Sequence, residues 1–158
     1  MAEGVDHDMN ETGKELVAKF YQALADMDVE AFLSIQQDDV EYNVHGSTPV
    51  SGHFTGKDFL ENVVAPKVFG NLQLETFQFA TKWKVMCADE HRVVAFMEAQ
   101  GLAKNGERYD QRYCHVFGFR DGKIAQVFEF FDSALAEHAL FDNPLTMAET
   151  PPAQRFQF

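Results

Sequence analysis

Cysteine is nearly absent from this chain of 158 residues: Cys87 and Cys114 are the only two. Two dispersed thiols cannot frame a disulfide-stapled domain, and they lack the paired spacing of a zinc site. They read as reduced, small apolar residues of strands, which suits a cytoplasmic protein. Basic residues are also scarce. Thirteen Lys and Arg stand against twenty-five Asp and Glu, a formal net charge of −12. That balance argues against a phosphate-neutralising patch, and so against nucleic acid as a partner. No apolar run reaches membrane-spanning length, and the acidic, polar amino terminus has neither the basic nor the apolar region of a signal peptide. A Gly-rich phosphate loop and a nucleophile elbow are both missing, which leaves nucleotide binding and acyl transfer unsupported. His45, His53, His91 and His138 fall on a strand end, a loop, a turn and a helix, without the short spacing of metal ligands. The expectation is a domain that uses no cofactor, no metal, no nucleic acid and no membrane.

Phenylalanine is abundant: sixteen Phe accompany four Tyr and a single Trp. Phe brings apolar area with no hydrogen-bonding demand, so it can fill a core or line a greasy cavity. A chain of this length suits one domain burying roughly 70% of the surface its unfolded form exposes. The expected organisation is a flexible amino-terminal segment over 1–11, a single domain over 12–143 and a carboxy-terminal tail over 144–158, ordered only if it lies on something.

Thr12-Gly13-Lys14-Glu15 fits a capping box that would start a helix running to about residue 27. Leu16, Phe20 and Leu24 form its apolar stripe, with Val17 and Tyr21 beside it. Asp28 can cap a short second helix carrying Phe32, Leu33 and Ile35. Residues 40–45 alternate as a first strand, and 46–56 read as a loop. Residues 57–65 read as a third helix that Pro66 ends or kinks. Strands are then expected over 72–80, 82–88, 92–102, 107–120 and 123–132, and Ser133 or Asp132 can cap a last helix to about residue 140. Asp121-Gly122 between two β-rich runs is a strong hairpin signal, because Gly accepts the positive φ of such a turn. Helices followed by a long antiparallel run give an α+β domain in which helices cover one face of a curved sheet.

On these residues the chain resembles the nuclear-transport-factor-2-like superfamily, in its SnoaL-like and ketosteroid-isomerase-like branch. The resemblance rests on Phe20-Tyr21-Gln22-Ala23-Leu24 before Asp28, on Asp38-Asp39-Val40-Glu41-Tyr42, and on Pro49-Val50-Ser51-Gly52 with Thr55-Gly56. Its most specific part is His115-Val116-Phe117-Gly118-Phe119 with Asp121-Gly122-Lys123-Ile124, closing on Glu129-Phe130-Phe131-Asp132. It implies a cone: a strongly curved, mostly antiparallel sheet whose mouth is closed by the amino-terminal helices. The chain has too few helices to wrap both sides of such an open sheet, which predicts a homodimer burying part of strands 72–88 and 107–132. Function does not follow from the fold. Of the ketosteroid isomerase groups only the first-helix Tyr is matched, by Tyr21. The general base falls on Val44 or His45, and the protonated Asp on His115. The acids of limonene-epoxide hydrolase fall on Glu98 and Glu129, but its linking Arg falls on Phe96, while its water-holding Tyr and Asn fall on Tyr42 and Val44.

Strand periodicity gives two alternating faces without saying which is inside. The resemblance turns Tyr42, Val44, Phe96, Glu98, Gln100, Gln111, Tyr113, His115, Val127, Glu129 and Phe131 inward. Catalytic candidates are then His115, Glu98, Glu129 and Tyr21; ligand-lining candidates are Tyr42, Val44, Phe96, Gln100, Tyr113, Val127 and Phe131. An imidazole beside a carboxylate in an apolar cavity suits proton transfer near neutral pH, and equally suits a satisfied core histidine. Glu98 and Glu129 can form an acid/base pair, or can sit at the sheet rim opposite Arg92, Arg112 or Lys84. Tyr21, Tyr42 and Tyr113 can serve an oxyanion or satisfy their hydroxyls locally. Two readings follow. One is an acid/base isomerase, cyclase or lyase acting on a small apolar carbonyl compound. The other is a non-catalytic ligand-binding or dimerisation module with the same fold.

Overall fold

The computed structural model describes residues 3–145 and Phe158, with side chains from Thr12 onward. Most of the tail expected over 144–158 therefore lies outside the described residues, as do the side chains of 1–11. The elements run α1 (Glu3–Asp26), α2 (Val29–Ser34), β1 (Gln36–Val44), β2 (Gly52–Thr55), a π-helix (Leu60–Val68), β3 (Gln78–Ala88), β4 (Arg92–Gln100), β5 (Arg112–Arg120), β6 (Lys123–Phe131) and α3 (Ser133–Phe141). The six strands make one sheet in the order β2-β1-β6-β5-β4-β3. Every pairing is antiparallel except β1 with β6. Register shifts interrupt the β1–β6, β3–β4 and β5–β6 ladders. Such irregularities bend strands and raise their twist, which curves the sheet around the helices without closing it into a barrel. This is the α+β cone.

Several elements differ from the sequence expectation. The first helix begins at Glu3, so Thr12 and Glu15 lie inside it and form no capping box. Gly13 has a packing role instead: a Cβ there would lie 3.1 Å from Phe119 and 3.3 Å from Val93. The segment read as loop 46–56 contains β2, which pairs with β1. Pro66 does not end its helix. The chain winds past it in wider π turns, and Phe69 N–H still reaches the carbonyls of Val64 and Ala65. Of the expected strands 72–80 and 82–88, only Gln78–Ala88 is strand, a single β3 bent at Ala80, whose φ is +49°. Ahead of it, Phe69–Asn71 and Leu74–Thr76 form two short 3₁₀ turns.

Other signals match the fold. Asp28 caps α2 by accepting from Ala31 N at 2.9 Å. Asp132, not Ser133, caps α3 by accepting from Leu135 N at 3.1 Å. The stripe on α1 is buried at Leu16, Val17, Phe20 and Tyr21, and it packs across β3 and β4. On the far side of the sheet the Lys82 ammonium stands 4.4 Å from the centre of the Phe158 ring.

Asp121 and Gly122 join β5 to β6 with φ of +51° and +71°, and Arg120 pairs with Lys123 across them. Two successive positive φ values define a two-residue turn whose twist matches the strands. A Cβ at Gly122 would meet nothing within 4 Å, so any penalty there is conformational alone. Gly122→Ala is therefore expected to lower stability by about 1–2 kcal/mol, and Asp121→Asn to leave it nearly unchanged, as read by urea denaturation. An unaltered midpoint in Gly122→Ala would contradict this turn.

Candidate functional site

Residues two apart on a strand share a face, so β5 presents Tyr113, His115 and Phe117 together. Antiparallel register sets His115 opposite Glu129 and Tyr113 opposite Phe131 on β6. The parallel neighbour β1 adds Tyr42 beside Val127 and Val44 beside Glu129. From the helix side, α1 lays Tyr21 over this face. The Tyr21 hydroxyl donates to His115 Nδ1 at 2.9 Å, and His115 Nε2 donates to Glu129 Oε2 at 3.1 Å. An ionised carboxylate can only accept, so a neutral imidazole in this chain carries its proton on Nε2 and accepts at Nδ1. Aromatic rings fix the plane. Tyr113 stacks on His115 at 5.6 Å with 6° between planes, and Phe20 and Phe117 pack edge-on or tilted at 6.0 and 5.6 Å.

His115 and Glu129 form the polar floor of a cavity of about 120 Å³. Its walls are Phe20, Phe32, Tyr42, Phe59, Phe69, Phe79, Met97 and Tyr113, and its mouth is formed by Leu24, Met27, Asp28 and Val29 with Leu60, Val64 and Val68 of the π-helix. Asp28 is already engaged as the α2 cap. Among the described residues, no Lys or Arg lines the cavity. Few convergent polar groups in an apolar hollow is the arrangement of a small-molecule site. Among the described residues, no three His, Cys, Asp or Glu side chains converge in a way that could hold a metal ion.

Not every candidate arrives there. Phe96, Glu98 and Gln100 belong to the opposite face of β4, because Ala95 and Met97 are the residues in register with His115 and Tyr113. Glu98 is buried on that far face, in register with Lys82 and Arg112. It is not within the cavity and does not pair with Glu129. Tyr21 is fully buried behind His115 and does not line the cavity, so it holds the imidazole and offers nothing to a ligand directly. Tyr42 lines the wall, but its hydroxyl donates to Gln36 Oε1. Val44 and Val127 are buried beneath the cavity. Phe131 lines a smaller chamber beside it. His45, the alternative base position, is exposed with its ring against Phe130. Met97 and the walls Phe32, Phe59, Phe69 and Phe79 were not singled out from the sequence. Their signal was the Phe abundance, which says nothing about position.

All four tyrosines are buried. Burial pushes each phenol up, and the Glu129 charge adds to this in every case. Tyr109 is pushed up to about 12, and Tyr21, Tyr42 and Tyr113 are raised well above the ordinary phenol value. Tyr21 is therefore a neutral donor at any physiological pH.

These features define a class: an α+β cone around an apolar cavity with an ordered Tyr–His–Glu chain at its floor. The SnoaL-like domain family matches residues 17–127, and the chain belongs to that family. No curated protein matches it significantly. Among solved structures, an NTF2-like protein from Burkholderia xenovorans LB400 is 17% identical with a TM-score of 0.67, over 83% of this chain and 97% of its own. A Bacillus subtilis protein provisionally described as an isomerase is 19% identical, with a TM-score of 0.66 over 85% and 95%. A Pseudomonas putida KT2440 protein provisionally described as a polyketide cyclase is 22% identical, with a TM-score of 0.62 over 81% and 97%. At these identities the likeness establishes the fold and nothing finer.

The raised phenols make an alkaline prediction. Unfolded tyrosine ionises near pH 10, and each folded phenol ionises higher. The protonated native form is thus favoured, and this contribution to stability is complete below about pH 10 and is lost as pH rises toward the folded values. Tyrosinate absorbance at 295 nm is expected to stay absent at pH 10–11 and then appear in one step with loss of circular dichroism. Reversible ionisation of any tyrosine near pH 10 in the folded protein would refute the burial assignment.

Proposed function

We propose that this chain binds a small apolar carbonyl compound and acts on it by cofactor-free acid/base proton transfer, as an isomerase, cyclase or lyase. The observation that carries this reading is the His115–Glu129 pair at the floor of a cavity with otherwise apolar walls. In water such a pair would be competed for by solvent. In an apolar hollow it is held at one geometry, and proton transfer from a carbon beside a carbonyl needs a base so held. Glu129 takes the proton and returns it, while the His115 Nε2–H holds the carboxylate in place. Tyr21 is a positioning residue that keeps Nδ1 occupied and the ring fixed. The names given to the Bacillus and Pseudomonas relatives, isomerase and cyclase, fit this class of chemistry.

2-Tetralone, an apolar enolisable ketone, gives the test. Wild-type protein in D₂O is expected to accelerate deuterium uptake at its α-carbons, followed by proton NMR. Glu129→Gln, which removes the base, should lose about 10²–10⁴-fold of that rate, and His115→Ala, which removes the donor that holds it, should lose rate as well, while saturation-transfer NMR still detects the bound ketone. A purely structural pair predicts otherwise: His115→Ala lowers stability, His115→Gln restores it, and exchange follows the folded fraction in every variant, Glu129→Gln included. That result would favour the non-catalytic binding module.

A homodimer is part of the same proposal. The outer face of β4, β5 and β6 sets Val94 beside Val116, Phe96 beside Cys114, Val116 beside Phe128 and Cys114 beside Phe130. Most of these are half-buried and Phe130 is exposed, an apolar stripe of the kind that marks association. Sedimentation at micromolar concentration is expected to give twice the chain mass, and a monomer would refute the dimer.

A further inference from the structure

Beside the main cavity lies a second chamber of about 30 Å³. Tyr109, Tyr113 and Glu129 supply its polar atoms, and Val50, Phe59 and Val63 are among its apolar walls. Glu129, Tyr113, Phe59 and Val68 line both hollows, so the carboxylate borders each of them. One water centre needs about 10–15 Å³ of such space, and the chamber therefore has room for two.

Counting hydrogen bonds says what this space is for. Gln111 Nε2 donates to the Tyr109 oxygen at 3.4 Å. The two phenols carry two protons that this bond does not use, so each hydroxyl has a proton left to donate. Gln111 cannot receive it, since its Oε1 accepts from Arg112 N at 2.9 Å and Asp132 N at 3.0 Å. An ionised carboxylate has about four acceptor sites, and His115 occupies one of those on Glu129. A spare donor and spare acceptor sites thus line the same small hollow.

We propose that this chamber is a built water site, holding one or two waters bridged between the phenol pair and the Glu129 carboxylate. Resting on the acid/base reading, its role is exchange. The ligand C–H bond breaks and its proton forms an O–H bond on Glu129, leaving the electron pair on the ligand as enolate. The carboxyl proton then exchanges for one of the bound water's, with no net change in either partner. The site gives Glu129 an outlet that does not open the ligand cavity to solvent.

The water itself is the probe, in ligand-free full-length protein. With ¹³C-labelled valine methyls, water-to-methyl Overhauser contacts are expected at Val63 and Val50. They should be lost in Val63→Leu, which fills the chamber, and in the double variant Tyr109→Phe with Tyr113→Phe, which removes both phenol protons. Absence of these contacts in the wild-type protein would overturn the site, whether or not either variant folds. Contacts that persist in both folded variants would overturn it equally. Because no ketone is present, this outcome is independent of the ketone-exchange test: water can be found in a protein that catalyses nothing, and exchange can be catalysed without this water.

Discussion

One buried hydrogen bond, His115 Nε2–H to Glu129 at 3.1 Å, sets the conditions for everything around it. A carboxylate facing an apolar hollow is expensive to hold charged without donors, and His115 is the donor supplied. The imidazole in turn needs its other nitrogen satisfied, which Tyr21 does from α1. Glu129 also raises the phenols of Tyr21, Tyr42, Tyr109 and Tyr113 after burial has done most of the work. The phenols therefore remain neutral donors and do not compete with it as anions. Removing the carboxylate would strand a buried N–H, at a cost of about 1–3 kcal/mol. The arrangement is therefore coupled across three elements, α1, β5 and β6.

The hollow itself follows from curvature and from bulk. A sheet bent by register shifts cannot be filled by one helix stripe lying along it. Phe20 and Tyr21 reach the floor, but the far side is closed by α2 and the π-helix through Phe32, Leu60, Val64 and Val68. The π-helix matters because its wider turn carries the chain past Pro66, keeping Val63, Val64 and Val68 on the inward side. π turns recur at functional sites, and here one provides much of the rim.

Signals with a local cause were legible in the sequence. Asp121-Gly122 demands its turn through backbone sterics, Asp28 announces a helix start, and the alternation of β5 places Tyr113, His115 and Phe117 together. The face of β4 was not legible. Val93 through Met97 is apolar at every position, so alternation carries no information about which side is in. The long irregular connection over 101–111 prevents counting the register across from β5. Likeness to an epoxide hydrolase turned Glu98 inward, whereas packing turned Ala95 and Met97 inward instead. The extent of α1 was hidden for another reason: Thr12 and Glu15 have capping chemistry, but Gly13 is needed where the helix crosses Phe119 and Val93.

The two glutamates show why position and not residue type decides the chemistry. Glu98 and Glu129 are both strand residues of one sheet, and both are opposed by a nitrogen-bearing side chain. Across the strands Glu98 meets Lys82 and Arg112 in register. Glu129 meets an imidazole, the one side chain that gains and loses its proton near neutrality, and it borders two hollows, one open to a ligand and one lined by phenols. On the inner face of this sheet Glu129 has an imidazole in register and a cavity beside it, the two features on which the proposed proton transfer rests. Glu98, on the other face, has neither an imidazole in register nor a place in that cavity.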